Sequence, residues 1–215
     1  MKAILFFFLK IFLFLLLPFV VLIRGAVFMH ENYTSSAEVA ILAGAFGTML
    51  LLMAYFIYLY FRTTGRLGNG NSIKLKMFVA GILVVVYCFN GLFFLNGGHA
   101  KTEAVQKEFT NLHPILRLSI STILLVDRDL ILTDASRLPE DYKAMGLPTK
   151  THSLHYKQKN GFAHAFDVRT KNHSEARNRF LQWYFEAMGF NTLRHVGTED
   201  HLHISLKSHD RPGAI

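Results

Sequence analysis

Two short stretches near the C-terminal end concentrate side chains able to do chemistry. SLHYKQKNGFAHAFDV (153–168) holds His155, His164 and Asp167, and TEDHLHISL (198–206) alternates histidine with leucine and isoleucine. Residues two apart on a strand point the same way, so His201 and His203 project from one face while Leu202 and Ile204 enter a core. Imidazoles with an apolar backing suit a metal. Asp167 ends the strand-like run FAHAFD, where Phe162 or Phe166 packs inward, and its carboxylate completes a nitrogen and oxygen set of the kind zinc accepts. His155, His164 and His152 are all candidates for a further ligand.

The elements that must position these groups are short and mixed. Pro114 suits the first turn of a helix, HPILRLSISTILLV, and LILTD (130–134) reads as a strand followed by a turn through Ala135 to Leu138. Pro139 with Glu140 and Asp141 opens a brief helix that ends before Gly146. Ser174 caps SEARNRFLQWYFEAM, in which Phe180, Leu181, Tyr184, Phe185 and Met188 share a face and Gly189 is the stop; Trp183 and Tyr184 are expected to pack. FAHAFDV, NTLRHV and LHISL are strand-like. The expected fold is α+β, a small antiparallel sheet carrying helices on one face.

The first half of the 215-residue chain follows different rules. Residues 3–23, 37–61 and 77–95 are apolar runs, broken by little more than Lys10, Pro18 and Glu38. Each reaches the length of about 20 residues that crosses the hydrocarbon layer. The first run is longer than a secretory signal core and lacks a close small-residue cleavage site, so it is expected to be an uncleaved helix. The loop at 62–76 carries Arg62, Arg66, Lys74 and Lys76 with no acid, whereas the loop at 24–38 sets Arg24 against Glu31 and Glu38. Basic loops stay in the cytoplasm, which sends everything after about residue 96 to the other side. The sole cysteine, Cys88, falls in the third run, so no disulfide framework is expected outside.

The expected organisation is a three-helix membrane region (1–96), a linker (97–111) and an extracytoplasmic domain (112–215). Most of the net charge of +8 belongs to the first half, since residues 97–215 hold 16 Lys and Arg against 13 Asp and Glu. A nucleic-acid partner is therefore not expected. The same segment holds ten of the eleven histidines.

The C-terminal domain resembles the zinc D-alanyl-D-alanine carboxypeptidase and dipeptidase family, fold relatives of hedgehog signalling domains that cut peptidoglycan peptides. Ser153-Leu154-His155 matches that family's Ser-x-His. Ala163-His164-Ala165-Phe166-Asp167 matches its Gly-x-Ala-x-Asp with alanine for glycine, and Asp200-His201-Leu202-His203 matches its late acidic and histidine motif. Arg137 falls where the family has an arginine after a strand. The resemblance covers about residues 112–206. It implies that His155, Asp167 and His203 ligate Zn2+, that Asp200 moves the proton, that His201 stabilises the charged intermediate, and that Arg137 holds a substrate carboxylate or oxyanion. His155 and Asp167 stand twelve positions apart, wider than the family pattern, so the turn-forming residues of KQKNG (157–161) must loop out.

The function so implied is a zinc-dependent peptidase acting on a peptidoglycan stem peptide. Its setting would be the bacterial cytoplasmic (inner) membrane, with the C-terminal domain facing the periplasm or cell wall. The alternative is a non-catalytic, wall-binding or metal-binding membrane protein that retains the fold.

Overall fold

The computed structural model describes every residue except 1, 34, 35, 145, 147, 149–151, 198 and 215. Three long helices come first: α1 (Lys2–Tyr33), α2 (Ala37–Thr64) and α3 (Gly70–Phe93). At about 1.5 Å per residue each exceeds the roughly 30 Å of a bilayer core, and each is apolar enough to cross one. Ser36 and Asn69 cap α2 and α3 by accepting from Val39 and Ser72 backbone N–H groups. Helices α1 and α2 cross tightly at Gly44, where a Cβ would come within 2.2 Å of the Leu22 carbonyl oxygen.

The mixed α+β arrangement and antiparallel sheet expected from the sequence follow. After a 3-10 turn (Gly97–His99) come α4 (Glu103–Glu108), a second turn (Phe109–Asn111), α5 (Pro114–Ile123), β1 (Leu132–Asp134), α6 (Pro139–Ala144), β2 (Ala165–Arg169), α7 (Glu175–Met188), β3 (Asn191–His195) and β4 (His201–Ser205). The strands pair antiparallel in the order β1-β2-β4-β3. Phe166, Val168, Leu202 and Ile204 lie fully buried in the core, as alternation along the strands requires. Ser174 caps α7, and Gly189 ends it with φ of 98°, a left-handed conformation that suits glycine.

One apolar core runs from the long helices into the sheet. Leu22, Ile23, Ala26 and Val27 of α1 belong to the same cluster as Ile115, Leu118 and Ile120 of α5 and Phe166, Leu202 and Ile204 of the sheet. Helix α5 is buried along nearly its whole length. On one side Arg117 donates to the Leu92 carbonyl, Ser121 donates to that of Gly91, and Thr122 meets the Tyr87 hydroxyl. On the other, the Tyr184 hydroxyl donates to the Ser119 carbonyl. The segment 97–111 also packs, with Phe109 buried and Lys101 N–H bonded to the Leu132 carbonyl.

Two expectations for α7 need correction. Leu181, Tyr184, Phe185 and Met188 are buried, but Phe180 is 46 % and Trp183 60 % exposed. Both lie on the flank of α7 that turns toward the α1 side, away from the sheet.

Candidate metal centre and cleft

Strand register brings the first two groups together. Asp167 on β2 stands opposite His203 on β4, between the core-facing pairs Phe166–Ile204 and Val168–Leu202. Adjacent strands thus place both side chains on the sheet face away from the core. The register of β1 shifts between Leu132 and Asp134, so that Asp134 pairs with Asp167. In an unbroken ladder Asp134 would oppose Phe166; the irregularity re-aims it to the polar face.

The third group arrives on a loop. The Lys157–Ala163 bridge, with Gln158 N–H bonded to the Phe162 carbonyl, closes a hairpin-like excursion over KQKNG that absorbs the wide spacing between His155 and Asp167. Ser153 steadies the loop by accepting from His155 N–H. His155 Nδ1 donates to the Ala135 carbonyl at 2.8 Å, and Arg137 N–H donates to the His155 carbonyl. These bonds leave His155 Nε2 facing Asp167 and His203.

His155, Asp167 and His203 form a buried group that could hold a metal ion. His155 Nε2 lies 3.2 Å from His203 Nδ1, His203 Nδ1 lies 2.8 Å from Asp167 Oδ1, and His155 Nε2 lies 3.4 Å from that oxygen. Donor atoms of a tetrahedral zinc site, each about 2.0–2.1 Å from the ion, stand about 3.3 Å apart; the two separations from His155 Nε2 match that edge, while the 2.8 Å His203–Asp167 contact is a hydrogen bond that an ion would have to replace. The His155 Nδ1–carbonyl bond is the outer contact that fixes the tautomer of a metal-binding imidazole. Burial opposes the charge on Asp167, yet His155 and His203 hold its carboxyl well below the usual range. Burial likewise opposes protonation of His155, but the Asp167 carboxylate raises its pKa overall.

The remaining expected residues surround this group. Arg137 pairs with Asp134 at 2.6 Å and with Asp167 Oδ2 at 3.2 Å. His201 Nδ1 donates to the Glu199 carbonyl, and Nε2 stands 3.8 Å from Asp167 Oδ2. The ring stacks on His195 with centroids 4.7 Å apart. Asp200 has partners of its own: Arg194 holds it through two hydrogen bonds of 3.0 and 2.9 Å, and Thr170 donates to it at 3.1 Å. The Arg194 bonds, followed by that of Thr170, lower its pKa. Asp167, Arg137, Glu199, Asp200 and His201 all line a cleft of about 550 Å³, joined by the cations Lys101, Arg169 and Lys171.

His164 goes elsewhere. It faces away from Asp167 into a second histidine cluster, with ring centroids 4.8 Å from His113 and 5.6 Å from His30 of α1, while His209 packs on His30 at 5.1 Å. His152 is exposed and outside the metal group. The sequence reading did not single out Arg194 as the partner of Asp200, nor His30 and His113 as neighbours of His164. Arg194 was findable, since the β3–β4 turn is short enough to bring the two together. His30 gave no signal, because it lies far off in the chain, in the segment 24–38 that reads as a loop.

No family model, curated protein or solved structure matches this chain.

Proposed function

We propose that the protein is a membrane-anchored zinc peptidase acting on a peptidoglycan stem peptide. The observation that carries this reading is the convergence of His155 Nε2, His203 Nδ1 and Asp167 Oδ1 within 3.4 Å of one another beside a polar cleft. A zinc ion held by these residues supplies a Lewis acid for the scissile carbonyl and an activated water.

The chain's own residues would do the rest. Asp200 is the proposed proton acceptor, and its Arg194 pair keeps the carboxylate ionised and fixes its direction. Arg137, already paired with Asp134 and Asp167, contributes a fixed positive charge for a substrate carboxylate or a developing oxyanion. His201 presents Nε2 to the same cleft while the Glu199 carbonyl holds Nδ1–H, so the ring can donate only once it is protonated. Basic residues in the second loop support an orientation with this cleft outside the cytoplasm.

The test is zinc content and muropeptide hydrolysis by the full chain in detergent or nanodiscs. Wild type should hold one zinc per chain and cleave, and His203→Ala should lose both. Peptide binding without cleavage, unaffected by a chelator, would favour a binding module instead, a reading to which the tight Arg194–Asp200 pair lends support.

A further inference from the structure

Helix α1 and helix α7 face one another across an unfilled groove. Leu13, Leu16, Leu17 and Val20 of α1 follow helical spacing along one wall, and Phe180, Trp183, Ala187 and Met188 of α7 do the same on the other. Leu125 and Val126, just after α5, close the end. The groove has a volume of about 410 Å³ and an almost wholly apolar lining. Protein interiors rarely leave voids of this size, and an apolar patch so open is not left to water.

One wall names the occupant. Leu13 to Val20 belong to the apolar run of α1, whose neighbouring faces are themselves exposed at Leu13 and Leu15. The eight residues from Leu13 to Val20 make the groove about 10 Å long, on the half of the run nearer the sheet. Where α1 crosses a bilayer, the groove therefore opens sideways into acyl chains of the leaflet on that side. Leu125 (57 %), Val126 (64 %) and Trp183 (60 %) are exposed toward the same space. Arg128 and Asp129, exposed beside Val126 and Phe180, supply the charged rim that belongs at headgroup level.

We propose that this groove binds the acyl chain of a bilayer phospholipid, so that the edge of the C-terminal domain formed by Leu125, Val126, Phe180 and Trp183 is itself seated in the membrane. The domain is then held by lipid as well as by its chain connection.

Trp183 is the only tryptophan in the protein and is a built-in reporter. The full chain is placed in nanodiscs of phosphatidylcholine whose acyl chains are either plain or brominated, and emission is read with and without aqueous iodide. The expected result is blue-shifted emission that loses most of its intensity with brominated chains and resists iodide. A second reporter, Phe180→Trp in a Trp183→Phe background, should behave the same way one turn along α7. Quenching by iodide but not by bromine would overturn the proposal, because the groove would then hold water. Shielding from both would overturn it too, because protein would then fill the space. A chain that fails to copurify with nanodiscs refutes the crossing by α1 to α3 as well, which separates that failure from a misplaced groove.

Discussion

Replacing Asp167 with asparagine keeps the shape of the side chain and removes the charge on which the metal group depends. In the wild type this carboxylate accepts from His203 Nδ1 at 2.8 Å, lies 3.4 Å from His155 Nε2 and pairs with Arg137 at 3.2 Å, all with the group buried. Structural zinc sites contribute about 10–16 kcal/mol over four ligands, or roughly 2.5–4 kcal/mol each. At about 1.4 kcal/mol per decade, loss of the anionic ligand should weaken zinc binding by roughly a hundredfold to a thousandfold. The metal-free protein should suffer separately, since His155 and His203 lose the buried carboxylate they face, while Arg137 keeps Asp134; breaking a buried pair costs up to about 3–5 kcal/mol. Competition with a chromophoric chelator reads the first effect, and thermal unfolding in excess chelator reads the second. Zinc affinity equal to wild type in Asp167→Asn would refute the assignment of the site, whatever the thermal result.

Other outcomes can be checked alongside. His155→Ala should lose zinc as His203→Ala does, whereas His164→Ala, in the separate cluster, should keep it; metal analysis of the two variants decides between them. Asp200→Asn should retain zinc while hydrolysis falls by about 10²–10⁴, the span of a lost general base, and Glu199→Gln should stay close to wild type in the same assay. Burial, then the nearby His30, pushes His164 down to about 4, and burial, His164, His30 and Arg117 hold His113 well below the usual imidazole range. Because the unfolded chain takes up these protons first, stability should be intact above about pH 6.5 and fall as pH drops toward 4, by about 3 kcal/mol for His164 alone. Denaturant midpoints across that window should show the loss, and His164→Asn should reduce it, leaving the part that belongs to His113. Ile23→Ala should lower the unfolding temperature of the full chain, since deleting a fully buried isoleucine costs about 2–5 kcal/mol.

Much of the fold could be read from local pattern. The alternation in HLHIS placed Leu202 and Ile204 inside and the two histidines together, and strand pairing then delivered Asp167 beside His203. Ser174, Gly189 and Pro114 marked helix ends because caps are local chemistry. His155 and His164 could not be told apart by spacing, since the decision rests on the Lys157–Ala163 bridge and the turn it closes. Phe180 and Trp183 were grouped with or near the core because periodicity gives a face of α7 without saying what lies against it. The same limit concealed the role of α1: the apolar run reads as ending at residue 23 with a loop over 24–38, and nothing local says that the helix continues to Tyr33 and packs its last third on the domain.

That last third has a physiological consequence. A protease nicking the backbone near residue 97 would not shed the C-terminal portion into the surroundings, because Leu22, Ile23, Ala26 and Val27 would still grip it and His30 would stay bonded to the Lys207 carbonyl. The leash is the packing itself. Any ligand of the cleft must accordingly come within reach of a face that can neither swing out on a tether nor be released to diffuse.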